Sequence, residues 1–531
     1  MNISVNYRVN TMTKETICYN PATGEEIGRS ELHTGEELNT IIKQAESAHK
    51  VWEKYPLKKR IKMIIRIRDY IVTNADLLAE VISSDNGKTR LEALATEILP
   101  AAMAVSFYCK EAGKFLKDKR IKGGNIFLLN KRSKLVRVPF GVVGIISPWN
   151  YPFAIPFSEV IMGLLAGNSI ILKTASETQM VGLELKKAIE YAGLPEGVFN
   201  YINLPGRIAG DTFLESGIDK LFFTGSVQVG KYLLEKSAAT LTPLCLELGG
   251  NDAMIVCDDA DIERAASGAL WAGFQNCGQS CGGVERIYVD EKIYNQFLSA
   301  LKNKIEKLVV TKNDCYRTQF GCMTTTRQID TVQEHIQDAL NKGAKVYAQS
   351  GIPENTGANF LPATVLVDVN HDMMVMKDET FGPVVGVMKF NSIEEAIKLA
   401  NDSYLGLTGS VWSGSQHKAE KIARCIKAGV VTINDHLMSH GLAETPWGGF
   451  KQSGIGRTHG ELGFDEMTQT QVIVKDLLSF TSKQLWWHPY SKNVYDGLKG
   501  LLNLLYNSKP GVRIKGFIKL IRIVPRIFSK E

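Results

Sequence analysis

Nine cysteines (Cys18, Cys109, Cys245, Cys257, Cys277, Cys281, Cys315, Cys322 and Cys425) are scattered over 531 residues without one CxxC pair. No Cys/His ladder has zinc spacing either, which argues against a disulfide scaffold and a metal site and for free thiols in a reducing compartment. The first twenty residues, MNISVNYRVNTMTKETICYN, hold no apolar run of signal-peptide type. A cytoplasmic location is therefore the expectation. No internal repeat or low-complexity block is present. The one uncharged stretch long enough for a bilayer, Val138 to Ser158, contains Pro139, Pro148, Pro152, Pro156 and Asn150, and so reads as strand, loop and helix start rather than a membrane span. Excess positive charge is missing from most of the chain. The net charge is +6, yet ten Lys/Arg against two acids after residue 479 put +8 in the tail and leave the rest slightly negative. A nucleic-acid-binding body is excluded on that ground.

What is present is an ordinary globular composition, 44% hydrophobic and 22% charged, at a length that implies two or three domains. Apolar residues recur at helical spacing over 37–83, and after the polar break at 84–88 a further helix is expected to about Gly113. Alternation of apolar and basic residues predicts a β-ribbon at Ile126–Leu129 and Lys134–Pro139. Short apolar runs then alternate with helical stretches: 142–147, 169–174, 199–203 and 220–224, with a helix at 180–192. A second such region starts near Leu248, with strands at 253–256, 286–289 and 430–434. The fold class is α/β, with parallel sheets and crossover helices.

The segment Phe274-Gln-Asn-Cys-Gly-Gln-Ser-Cys281 carries the sharpest chemical signal. A thiolate attacks carbonyls well, and Gly278, Gly282 and Gly283 let backbone amides approach a bound oxyanion. A lone cysteine is more often a small core residue, so its companions matter. Leu246-Glu247-Leu248-Gly249-Gly250 sets a carboxylate at an apolar strand end, where burial raises its pKa toward that of a general base. Ser147-Pro148-Trp149-Asn150 is a rigid turn that offers an amide donor. Gly225-Ser-Val-Gln-Val-Gly230 should open a helix whose N-terminus suits a pyrophosphate, although its spacing departs from the usual dinucleotide fingerprint.

These segments resemble the aldehyde dehydrogenase superfamily. The Pro-Trp-Asn turn, Lys173, Phe-Thr-Gly-Ser, Glu-Leu-Gly-Gly, Gly-Gln-x-Cys, Glu-x-Phe-Gly-Pro and Pro446-Trp-Gly-Gly-Phe-Lys-Gln-Ser-Gly-Ile-Gly-Arg457 follow in that family's order from about Tyr19 to Val474. The resemblance implies a Rossmann-like NAD(P)-binding domain (1–124 and 140–247), an α/β catalytic domain (248–464) and oligomerisation strands (125–139 and 465–479). It makes Cys281 the nucleophile, Asn150 with the Cys281 N–H the oxyanion hole, and Glu247 the base that lets water hydrolyse a thioester. Glu247 also argues against the CoA-acylating branch. For the cofactor it implies contacts from Ile146, Ser147, Trp149, Lys173, Ser176, Gly206, Gly210, Thr224, Gly225, Ser226, Gly230, Leu248, Glu379 and Phe381. NAD-preferring relatives often carry a Glu three residues after the Lys. Here Ser176 stands there and Glu177 follows, so NADP should be accepted as well as NAD. A homodimer or homotetramer is implied.

The tail, 480–531, departs from the pattern. On a helical wheel Lys515, Lys519, Arg522 and Arg526 cluster opposite Ile514, Phe517, Ile518, Ile521, Val524, Ile527 and Phe528, with Pro525 kinking the end. That pattern fits peripheral contact with an anionic membrane or, alternatively, packing on the body or a second subunit. A membrane-facing tail would suit a fatty or aromatic aldehyde, with a semialdehyde as the alternative. Trp149, Phe274, Cys277, His436 and Met438 are candidate channel residues; no carboxylate anchor stands out, although Arg286, Arg457 or a lysine could serve. From other classes, a thiol esterase on Cys281 and Glu247, or a non-catalytic membrane-associated protein, remain open.

Overall fold

A computed structural model describes residues 7–10, 14–311, 316–352, 357 and 359–529. Cys315, Lys530 and Glu531 lie outside them. The chain divides into two compact units, Met1–Leu116 with Pro139–Gln469, and Lys117–Val138 with Thr470–Glu531.

In the first unit a three-stranded antiparallel sheet (Tyr7–Asn10, Glu15–Tyr19, Glu26–Glu31) precedes the helices. The 37–83 periodicity resolves into Gly35–Trp52, Leu57–Thr73 and Ala75–Asn86. Thr34 and Glu37 form a reciprocal cap at the start of the first, satisfying two orphan backbone donors. Gly87, at φ +96°, ends the third in the left-handed conformation that glycine tolerates best. The stretch Arg90–Phe115 is long and apolar enough to cross a membrane by length and composition, and 44% of its apolar window is buried. One turn of it, Leu94–Ile98, is π-helical.

A six-stranded sheet follows in the order Gly454–Ile455, Leu244–Glu247, Lys220–Thr224, Val142–Ile146, Ser169–Lys173, Phe199–Ile202. All of its pairs are parallel except the first. The central strands are buried along their whole length, as expected when helices cover both faces. The run from Val138 to Ser158 is strand, turn and the start of the buried helix Ala154–Ala166. Chain order reverses beside Val142–Ile146, and in open α/β sheets ligands bind at the strand C-termini near such a switch point. Gly454–Ile455, which the sequence reading put in the catalytic region, completes this sheet instead. A two-residue strand has no periodicity by which to be recognised.

A further sheet has seven strands, in the order Lys345–Gln349, Thr364–Val367, Val384–Phe390, Val284–Asp290, Asp252–Val256, Thr408–Trp412, Val430–Ile433. It packs its own core around Phe297, Tyr288 and Phe390.

The second unit contains the strands Lys119–Ile121, Lys131–Pro139 and Thr468–Asp476. The strand expected at Ile126–Leu129 is instead a 3-10 turn, Ile126–Leu128. Asn125 accepts the Phe127 N–H through its side chain at 2.9 Å, and this local bond competes successfully with strand pairing. The tail folds into two helices, Lys492–Tyr506 and Pro510–Ile523, followed by a 3-10 segment Val524–Phe528. Ser491 caps the first and Pro510 starts the second, a position where the missing N–H costs nothing. The helices meet through Gly497, Gly500 and Gly516. A Cβ on Gly500 would stand 2.5 Å from the Gly516 carbonyl oxygen. Gly516→Val should therefore force the hairpin open and accelerate tryptic cleavage at Lys515 and Lys519 by roughly tenfold or more; unchanged cleavage would mean that the helices do not pack this closely.

Candidate functional site

The site is assembled where the two sheets meet. Glu247 ends its strand between Thr224 on one side and Gly454 on the other. The segment after Trp447 wraps it: Leu248 N–H donates to the Ser453 carbonyl at 2.9 Å, and a Cβ on Gly448 would press on the Glu247 carboxylate. Gly249 and Gly250 are small for a visible reason. Side chains there would collide with the Glu379 carboxylate and the Cys281 carbonyl respectively.

The helix Ile262–Phe274 leads into the cysteine loop through Asn276, Cys277 and Gly278, at φ +54°, +55° and +68°. Two non-glycine residues in this region store strain that surrounding bonds must offset. Glu92 accepts the Asn276 N–H at 2.8 Å, Asn276 Nδ2 donates to the Asn150 carbonyl at 2.8 Å, and the Thr324 N–H donates to Gln279 Oε1 at 2.9 Å. Asn150 is tied to the same loop: its Nδ2 donates to the Gln279 carbonyl at 3.1 Å. Its second amide N–H remains for another acceptor.

The turn that carries Asn150 hangs on a fully buried ion pair. Lys88 Nζ lies 2.6 Å from Glu97 Oε1 and donates to the Asn150 carbonyl at 2.9 Å. The other Glu97 oxygen accepts the Phe153 and Ala154 N–H groups at 2.8 and 3.1 Å. Glu285 does the same for the Glu-x-Phe segment, accepting the Phe381 N–H at 2.7 Å. Sequence reading missed Lys88, Glu92, Glu97 and Glu285. In sequence Lys88 belongs to the polar break at 84–88, and the one hint of its burial is that charged residues lead into an otherwise apolar helix.

Two cavities converge on Cys281. The larger, about 140 Å³, runs past Leu99, Met103, Trp271, Met438 and Trp447. The smaller, about 10 Å³, joins Cys281 to Glu247 and Glu159 and is near the least volume a water molecule needs. Of the residues considered as channel lining, Met438 lines the larger cavity. Trp149 packs edge-on against Phe381 instead, and Phe274 and Cys277 are buried in the core. His436 is also buried, with Nε2 3.0 Å from the Gly282 carbonyl.

Burial dominates the electrostatics. It pushes the Cys281 thiol up, with Glu379, Asp252 and Glu247 adding to the shift. Glu247 is held well above the carboxylate range by burial, then by Glu159 and Glu466, against Arg457. Among the described residues neither Glu247 oxygen has a hydrogen-bond partner. Glu159 and Glu379 are each raised to about 8, again mainly by burial.

The strand ends beside the switch point present the dinucleotide candidates. Ile146 and Ser147 close one strand, Lys173 the next and Thr224 a third. Ser147 Oγ and Thr224 Oγ1 are buried without a partner among the described residues, an arrangement that fits an absent polar ligand. Gly225 precedes the helix Val227–Ser237, which Ser226 caps. Gly206 opens another helix beside Lys173 Nζ. Gly210 and Gly230 admit Leu233 and Leu248 in close packing. Ser176 is buried, and Lys173, whose pKa burial lowers, feels the charge of Glu177. Glu379 accepts the Gly250 N–H at 3.0 Å. No group of His, Cys, Asp and Glu among the described residues could hold a metal ion.

Residues 9–473 match the aldehyde dehydrogenase family. The chain belongs to that family. It is 36% identical over 488 residues to a 4,4'-diapolycopene aldehyde oxidase of Methylomonas sp, covering 92% of this chain and 91% of the relative. It is 36% identical to a succinate semialdehyde dehydrogenase of Acinetobacter baylyi, covering 85% and 92%. The crystal structure of an NADP dependent enzyme of E. coli superposes with a TM-score of 0.83 at 30% identity, over 89% of this chain and 98% of that one. This aldehyde dehydrogenase is thus an oxidoreductase that uses NAD or NADP.

The Glu159–Glu247 pair makes a pH prediction. Two neighbouring carboxyls raise each other's pKa, and Glu159→Gln removes one negative charge while keeping the volume. Glu247, still flanked by Glu466 and Arg457, then ionises at lower pH, so the acid limb of the dehydrogenase pH–rate profile moves acidward. A limb that stays in place or moves upward would show that the two groups are not coupled.

Proposed function

We propose that this aldehyde dehydrogenase oxidises an uncharged, apolar aldehyde to its carboxylic acid through a thioester on Cys281. The observation that carries this reading is that Cys281 lines both cavities, one apolar and one shared with Glu247. The thiolate attacks the aldehyde carbon, and the new oxyanion is held by the Asn150 amide and the Cys281 N–H. As the oxyanion re-forms its C=O bond the carbon's hydrogen leaves as hydride and the thioester remains; NAD or NADP, which Lys173, Thr224, Glu379 and their neighbours would hold, would be the hydride acceptor. Glu247 takes a proton from water in the small cavity, and the hydroxide displaces the Cys281 sulfur from the acyl carbon. Carboxylate and thiol are released.

What the larger cavity lacks supports this substrate class. No Lys, Arg, Asp or Glu is among its lining residues. Tyr151 Oη donates to Gln275 Oε1 at 2.6 Å, and burial lowers the His440 pKa to about 4, so that imidazole is neutral near pH 7. Arg286 gives its guanidinium to the Asn251, Leu399 and Ala400 carbonyls, and Arg457 gives its own to Gly449 and Gly456. Neither reaches the cavity lining as a carboxylate anchor. The name of the Methylomonas relative supports an apolar aldehyde. That of the Acinetobacter relative favours a semialdehyde, which is the second reading. An esterase would have no use for the dinucleotide residues. The absence of a carboxylate at Ser176 supports acceptance of NADP.

Glu247→Gln is expected to release NAD(P)H in one burst equal to the active sites and then turn over slower by about 10²–10⁴-fold, the usual worth of a positioned base. Full steady turnover by that variant would remove Glu247 from the mechanism. A panel comparing straight-chain alkanals with succinate semialdehyde, run with each cofactor, tests specificity. Every methylene up to the pocket's length should raise kcat/KM by about threefold or more, with NADP used alongside NAD. Preference for the semialdehyde would favour the second reading, and strict NAD selectivity would remove the role given to Ser176.

A further inference from the structure

The tail hairpin forms one two-sided element within the second unit. Gly516, Leu520 and Ile523 of its second helix are buried, as are Val494, Gly497 and Gly500 of the first, and these residues form the seam. At 100° per residue, Phe517, Ile521, Ile514 and Ile518 turn to one side of the seam. They remain exposed by 48%, 49%, 62% and 48%. Tyr495, Leu502 and Tyr506 of the first helix, also exposed, turn to the same side because the short connection makes the helices antiparallel. On the other side Lys519 pairs with Asp496 at 3.6 Å, fixing that side as the polar one for both helices. Lys515 and Arg522 lie with them. Arg526 does not belong to this basic stripe: its guanidinium donates to the carbonyls of Leu485, Trp487 and Pro489, fastening the preceding loop to the end of the hairpin.

We propose that this hairpin docks the enzyme in the interface of an anionic lipid bilayer, with the Phe517–Ile521 face among the acyl chains and the lysines at headgroup level. Helices of 15 and 14 residues are too short to cross a hydrocarbon core, which takes about 20 residues. An apolar face backed by a basic one is the arrangement of a helix lying in the membrane plane. The tail's charge of +8 against a slightly negative remainder attracts acidic headgroups to this element in particular. Trp486, Trp487 and Tyr490, exposed just before the hairpin, are of the types that settle at the membrane–water boundary. The proposal rests on the hairpin alone and is independent of the Cys281 chemistry and of the substrate reading.

The test is flotation of the full-length enzyme with vesicles of phosphatidylcholine, with and without phosphatidylglycerol, at low and high salt. Binding to the anionic vesicles, weakened by salt, is expected. Phe517→Glu with Ile521→Glu should reduce it by roughly tenfold or more, and Lys515→Glu with Arg522→Glu should remove the preference for acidic lipid. Unchanged oxidation of a water-soluble aldehyde confirms that the variants fold. The proposal is overturned by no flotation, by equal flotation of the Phe517/Ile521 variant, or by equal binding to both vesicle types. It is also overturned if sedimentation shows an assembly that the Phe517/Ile521 variant dissociates while vesicles capture neither form, because the face then belongs to a second copy.

Discussion

The buried Lys88–Glu97 pair is the contact on which the site depends. With both side chains fully enclosed, their mutual attraction must offset the desolvation of two charges. Their remaining valences are spent on the Asn150 carbonyl and on the N–H groups that begin the Ala154–Ala166 helix. Leaving either partner alone in that interior costs about 3–5 kcal/mol. The π-turn at Leu94–Ile98 brings Glu97 to this position while Thr96 and Leu99 face the apolar cavity. One irregular turn thus serves both the Asn150 turn and the wall of the apolar cavity.

A second feature is how many acids of the site burial makes harder to ionise. Glu247, Glu159, Glu285, Glu379 and Asp252 are all raised by burial. Such a cluster can be buried because the charges are not all present at once near neutral pH. The same burial lifts the Cys281 thiol, with Glu379, Asp252 and Glu247 adding to the shift. A positive charge brought near these carboxyls would favour their ionised forms.

The larger cavity and the tail hairpin both expose apolar groups, for different reasons. Leu99, Met103, Trp271 and Met438 are exposed where they border the cavity entrance, a cost that an apolar substrate would repay. In the hairpin the glycines bring the helices close, Leu520 and Ile523 fill the seam, and Phe517, Ile518 and Ile521 are left outside it.

From sequence alone the α/β class, the motifs around Cys281, Glu247, Asn150 and Glu379, and the amphipathic tail could be read, because backbone periodicity and glycine placement act locally. The buried helices, strand runs and caps agree with that local code. Only the tertiary structure decided that Gly454–Ile455 edges the first sheet, that residues 126–128 turn rather than extend, and that Lys88 and Glu97 meet in the core. It also decided that Arg526 holds a loop, and that the larger of the two cavities at Cys281 has no Lys, Arg, Asp or Glu in its lining. Each of these rests on which distant groups desolvate one another, and that is fixed by packing across the fold rather than by neighbours along the chain.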